Sequence, residues 1–182
     1  MPKKVLLPLA TGFEEIEAIT IADVLRRAGV EVVLASLEGL HVTGAHGIRI
    51  VADALLSDVH ADTFDMIALP GGLPGAFHLA ESPLVQSMLQ DFDAKGKAIA
   101  AICAAPYALK CAGVLKNSYT CYPSFETKID HAGYEREPNV VRDANITTSK
   151  GPSTSMLFAL SLVEQLCGPA KVKALKEDLL LP

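Results

Sequence analysis

The chain has 182 residues, within the range of a single domain, and half of them are hydrophobic, enough for a sizeable core. Charged residues make up 20% with a net charge of −5, and Lys and Arg pair only at Lys3-Lys4 and Arg26-Arg27, so no specific nucleic-acid footprint is expected. No stretch approaches a membrane span, and the apolar run of about seven residues after Lys4 is too short for a secretory leader. A cytoplasmic location is expected, with Cys103, Cys111, Cys121 and Cys167 as free thiols. His41, His46, His60, His78 and His131 show no paired ligand spacing, so neither a metal nor a cofactor is expected.

Residues 5–10 read as a buried strand ended by Thr11-Gly12, with Pro8 removing one ladder donor. Residues 14–28 read as a helix closed by Gly29, and residues 30–36 as a second strand. Residues 40–43 and 48–51 flank Gly44-Ala45-His46-Gly47 and predict a hairpin or flap, followed by a linking segment over 52–60. Residues 66–69 form a short apolar strand that runs into Pro70-Gly71-Gly72-Leu73-Pro74-Gly75. A helical period covers 84–95, a strand 98–102 and a helix 107–112. Residues 119–122, 140–141 and 146–149 read as strands, Pro152 opens an apolar helix through Leu166, and residues 171–180 suggest a last helix. Apolar strands alternating with helices predict an α/β fold with a mainly parallel sheet covered on both faces, and one domain over 1–182. In such folds chemistry collects at the carboxyl ends of the strands.

Cys103 lies at one such end, after an Ala-rich run and before Ala104, Ala105 and Pro106. Small neighbours allow a tight strand-to-helix turn that lifts one side chain above the sheet edge, and the helix N-terminus behind it favours a thiolate. The plainer alternative is a small buried hydrophobe. On the first helix, Ile21, Val24 and Ala28 form an apolar stripe, and one step of four back from Ile21 lands on Glu17. Glu14 and Glu15 fall at other angles and read as ordinary first-turn acids. Glu17 is either partly solvated at the helix end or a desolvated carboxyl able to keep its proton near neutral pH. Beside Cys103 it would share one proton with the sulfur, an arrangement suited to general acid–base work. The N–H groups of Gly72 and Ala104 together suggest an oxyanion hole. Residues 70–75 lack the dinucleotide-binding spacing.

These segments, with Gly12-Phe13-Glu14-Glu15-Ile16-Glu17-Ala18 and Thr148-Ser149-Lys150-Gly151-Pro152-Ser153-Thr154, resemble in order the ThiJ/PfpI superfamily. Within it they are similar to the clade of the Parkinson-disease protein and bacterial YajL. The resemblance covers nearly the whole chain. It implies a flavodoxin-like three-layer sandwich, a homodimer with Ile16 and Arg27 near its interface, and a nucleophile elbow at Cys103. It implies a hydrogen bond from Glu17 to that cysteine, with Gly72 and Ala104 as backbone donors. It also implies action on small dicarbonyls or glycated substrates without cofactor, as a glutathione-independent glyoxalase or deglycase. An oxidation sensor carrying a Cys103 sulfinate and a redox-regulated chaperone are the alternatives.

Three departures stand out. Ala104 occupies the place where protease-like members carry His, which argues against peptidase chemistry. Tyr122, before Pro123, stands where relatives carry a site His; a phenol donates a hydrogen bond but is a weak base at neutral pH. His46 aligns with a family Arg in the hairpin. Cys111 is expected in the core, Cys167 at the end of the long helix, Cys121 in a structural place with a position near the site as the alternative, and His78 and His131 in solvent.

Overall fold

The computed structural model describes residues 2–182. In chain order, β1 is Lys4–Leu9, α1 is Glu15–Arg27, β2 is Glu31–Ser36, β3 is His41–Thr43, β4 is Arg49–Val51 and β5 is Ala54–Leu55. Then come β6 (Met66–Leu69), α2 (Gly75–Glu81), α3 (Pro83–Ala94), β7 (Ala98–Ile102) and α4 (Pro106–Cys111). The chain ends with α5 (Glu126–Ile129), β8 (Val140–Asp143), β9 (Ile146–Ser149), α6 (Ser155–Cys167) and α7 (Pro169–Asp178). Seven strands form one sheet in the order β5-β2-β1-β6-β7-β9-β8, parallel except for β8, which runs antiparallel to β9 at the edge. β3 and β4 form a separate antiparallel hairpin.

Alternation along β1 separates the layers. Val5, Leu7 and Leu9 join a core with α1 and α6, while Leu6 joins a second core with Leu79, Val85, Met88, Leu89, Phe92 and Leu109 of α2, α3 and α4. Both faces of the sheet are therefore covered: this is the flavodoxin-like three-layer sandwich. Each fully buried Leu or Ile contributes about 1.5–3 kcal/mol, so these two layers carry most of the stability.

Pro8 has a structural role. Lys4 O accepts from Asp65 N–H and Leu9 O from Leu37 N–H, both at 2.9 Å, so even-numbered residues of β1 face β6. Pairing with β2 runs from Lys4 to Leu9, but pairing with β6 stops at Leu6. The missing N–H of Pro8 falls where that second ladder ends. The strands part there, and the loops that follow them hold the site.

Several expectations are corrected. Residues 119–122 are not a strand: Tyr119 makes one isolated bridge, to Tyr134, and Thr120 N–H donates to the Thr148 hydroxyl of β9 and not to its backbone. Pro152 opens a one-turn 3-10 helix, Pro152–Thr154, before α6 begins at Ser155. The segment after Gly72, given no helix in the sequence analysis, continues into α2. The linking segment contains the two-residue edge strand β5.

Candidate active site

Cys103 follows β7 directly and has φ 64, a left-handed conformation that costs a non-glycine residue about 1–3 kcal/mol. Its surroundings hold it there. Cys103 N–H donates to Ser149 O at 3.0 Å, Ala105 N–H to Ile102 O at 3.0 Å, and Tyr122 N–H to Cys103 O at 2.9 Å. Ala104 and Ala105 are buried, and a larger side chain would meet the core. The result is a tight strand-to-helix elbow, with the cysteine 8% exposed.

Glu17 reaches the elbow from α1. Glu14 caps that helix, its Oε2 accepting from Glu17 N–H at 2.8 Å. Ile21, Val24 and Ala28 bury the helix against the core and carry Glu17 inward with them, to 0% exposure. Glu17 Oε2 accepts from Gly71 N–H at 2.7 Å, while Oε1 is buried without a conventional partner. Cys103 is the acidic group nearest in this loop: the place of a Cβ on Gly71 lies 2.8 Å from Glu17 Oε2 and beside Cys103 Cβ. The loop admits only glycine at two places. A Cβ on Gly71 would lie 2.6 Å from Cys103 Cβ, and one on Gly72, where φ is 87, 2.6 Å from Gly12 O. Gly71 was not singled out in the sequence, although its N–H anchors the carboxylate; the doublet after β6 was the available signal.

The charges follow from this packing. Burial lifts the Glu17 carboxyl to about 7 against the pull of Gly71 N–H and the thiol, with Glu14 adding repulsion. Burial also pushes the Cys103 thiol up, and the Glu17 carboxylate pushes it further; the N–H groups of Gly72 and Ala104 pull it back. The helix terminus behind Cys103 therefore does not ionise it unaided, α4 being only Pro106–Cys111. In one dry site each acid is harder to ionise while the other is charged. When Glu17 holds a proton, the repulsion on the sulfur disappears and a donor replaces an acceptor.

The other predicted residues are more scattered. Tyr122 joins the site through its backbone; its ring, half-exposed, lies against Gly151 on the rim. Cys111, expected in the core, is exposed on α4, because Ala108 and Leu109 take the buried face. Cys121 is buried, its thiol donating to Tyr122 O at 3.4 Å, and Cys167 is half-buried. His78 is exposed as expected, whereas His131 is half-buried edge-on against Tyr119. Glu14 and Glu15 are not ordinary surface acids: both are buried. Glu15 ties α1 to the β3–β4 hairpin, Oε1 accepting from His46 N–H at 2.7 Å and Ile48 N–H at 3.3 Å, and Oε2 lying 2.9 Å from His46 Nδ1. Glu14, Glu15 and His46 are also the group of potential metal ligands found among the described residues, with ligand atoms all within 4.8 Å of one another. No helix among those residues is long and apolar enough to cross a membrane.

Known proteins share this sequence and fold. The DJ-1/PfpI family profile matches residues 3–165. The chain is 42% identical to Drosophila melanogaster protein dj-1beta, over all of this chain and 98% of the relative. It is 42% identical to the Caenorhabditis elegans glutathione-independent glyoxalase DJR-1.2, over 97% and 95% of the two chains. It also matches Arabidopsis thaliana protein DJ-1 homolog B at 45% identity, spanning 39% of that longer protein. The crystal structure of Drosophila DJ-1beta superposes with a TM-score of 0.96 at 42% identity, covering 100% of both chains. With fold, length of match and identity all agreeing, the chain belongs to the DJ-1/PfpI family.

Proposed function

We propose that this protein is a cysteine-dependent stress protein that converts small reactive dicarbonyls to hydroxyacids without metal or glutathione. The observation that carries the reading is that Cys103 and Glu17 adjoin the same glycine, the place of a Gly71 Cβ lying 2.6 Å from Cys103 Cβ and 2.8 Å from Glu17 Oε2, with the carboxyl buried and lifted to about 7. In this reading Glu17 keeps the shared proton and the sulfur is the nucleophile. The thiolate adds to the aldehyde carbon of methylglyoxal, and the new oxyanion is met by Gly72 and Ala104 N–H and takes a proton from Glu17. Glu17, now a carboxylate, removes the hydrogen from that carbon and returns it to the neighbouring one, while the hydroxyl proton on the first carbon passes to the oxygen of the second. This leaves a hydroxyacyl thioester. Water cleaves it, giving lactate and the free thiol. Tyr122 serves as a rim donor to bound substrate, and glycated substrates would enter over the same rim. The reading includes a cytoplasmic homodimer formed through α1, where Ile16 and Ile19 expose apolar surface. The test is lactate formed from methylglyoxal by purified protein. Equal rates for wild type and Cys103→Ala would end it.

A second reading is favoured by the unpartnered Oε1 of Glu17. Peroxide oxidises Cys103 in two steps, each transferring one oxygen and releasing water, and the sulfinate is held by protonated Glu17 and the Gly72 and Ala104 amides. Intact mass after mild peroxide should rise by two oxygens located on Cys103. Their appearance on Cys111, Cys121 or Cys167 instead would exclude the sensor. A chaperone role would be marked by suppression of client aggregation that survives Cys103→Ser.

A further inference from the structure

Beside the thiol site, the hairpin and α1 bring together two carboxylates and an imidazole. The Glu14 and Glu15 side chains are 8% and 7% exposed, and among the described residues neither has a Lys or Arg within ion-pair distance. His46, 71% exposed, is their one cationic neighbour. Each carboxylate is fixed by one oxygen and presents the other. Glu14 Oε2 holds Glu17 N–H, and Glu15 Oε1 holds the N–H groups of His46 and Ile48. Glu14 Oε1 makes no hydrogen bond among the described residues, although its side chain is more than nine-tenths buried, and it points toward His46 Nδ1 at 3.8 Å. Glu15 Oε2 lies 2.9 Å from the same nitrogen.

A tetrahedral ion with bonds of about 2.0–2.1 Å sets its ligand atoms about 3.4 Å apart. The two measured separations straddle that value, so small movements of one imidazole complete the set. A depression of about 230 Å³, lined by Glu14, Glu15, Ile16, His46 and Ile48, leaves room for water in the remaining position. Backbone amides fixing the outer oxygens are what a metal's supporting shell requires. One imidazole with two carboxylates suits a borderline divalent transition ion and not calcium or magnesium.

We propose that Glu14 Oε1, Glu15 Oε2 and His46 Nδ1 bind one divalent ion of the zinc, cobalt or nickel class, at a site separate from the reacting sulfur. Linear spacing hides it, because two ligands come from α1 and the third from a hairpin far along the chain. The site does not depend on dicarbonyl turnover.

The test is calorimetric titration of chelator-treated protein with Zn²⁺, and visible absorption with Co²⁺, both repeated in Cys103→Ala. One ion per chain is expected, with affinity kept in Cys103→Ala and His78→Ala and weakened at least about tenfold in His46→Ala and Glu14→Gln. His46 is exposed, so His46→Ala should keep its far-ultraviolet dichroism, which separates loss of ligand from loss of fold. Unchanged affinity in His46→Ala, dependence on Cys103, or no saturable binding would overturn the proposal.

Discussion

Glu15 and Glu17 share the first turn of α1, and both are buried, yet the fold holds their protons in opposite ways. Glu17 faces the elbow, where its one hydrogen bond is from the Gly71 amide; burial dominates, and its carboxyl rises to about 7. Glu15 faces the hairpin tip. Burial pushes it up as well, but the His46 imidazole and the N–H groups of His46 and Ile48 outweigh that and hold it below the ordinary carboxylate range. Coverage alone therefore does not decide ionisation; the number of donors does. One acid is kept as a proton reservoir, and the other is kept charged as a clamp on the hairpin.

The largest test of this contrast is functional. Glu17→Gln keeps the shape and the hydrogen bond from Gly71 but cannot move a proton. Dicarbonyl turnover should fall by about 10²–10⁴, the usual worth of a positioned acid–base group, while alkylation of Cys103 by iodoacetamide persists. Cys103→Ala should lose both. If Glu17→Gln keeps its turnover, Glu17 is not the proton carrier and the division between the two acids has no catalytic meaning.

The next effect is on stability. Glu17 moves from an ordinary 4.5 to about 7 on folding, worth on the order of 3 kcal/mol. A raised pKa means that the folded state binds the proton more tightly than the unfolded state. The contribution is thus complete below about pH 4.5 and fades as pH rises through about 7. Urea unfolding of wild type should show this decline, and Glu17→Gln should flatten it. A wild-type profile that does not fall across that window would show that the carboxyl stays ionised in the folded chain.

Much of the Glu17 side of this comparison was legible in the sequence, because its signals are local. The stripe of Ile21, Val24 and Ala28 points Glu17 inward, and Ala104, Ala105 and Pro106 mark the bend at Cys103. Little of the Glu15 side was legible. Its cover and its donors come from His46 and Ile48, and nothing in the first turn of α1 announces a hairpin folded over it. The same limit explains the segment at Tyr119–Cys121: its residues are buried like a strand's, but its bonds run to an isolated bridge at Tyr134 and to the Thr148 hydroxyl. Cys111 failed differently. A short helix over a sheet has one buried face, and Ala108 with Leu109 had already filled it.

The smallest expected effects lie at the clamp. Glu15→Gln weakens a charged acceptor of two part-buried N–H groups and should cost about 1 kcal/mol at neutral pH. Because the Glu15 pKa is lowered on folding, its contribution is present above about pH 4.5 and is lost as pH falls through the folded value, the reverse of Glu17. His46→Ala should cost less than Glu15→Gln, since the imidazole is exposed and the two backbone donors remain. The Glu15 carboxylate raises the His46 pKa, so what the ring contributes is present at acid pH and fades as pH rises through that raised value. The difference between wild type and His46→Ala should therefore be larger near pH 5 than near pH 8. A difference that grows toward alkaline pH would mean the ring binds Glu15 as a neutral donor, and the clamp would then rest on the two amides alone.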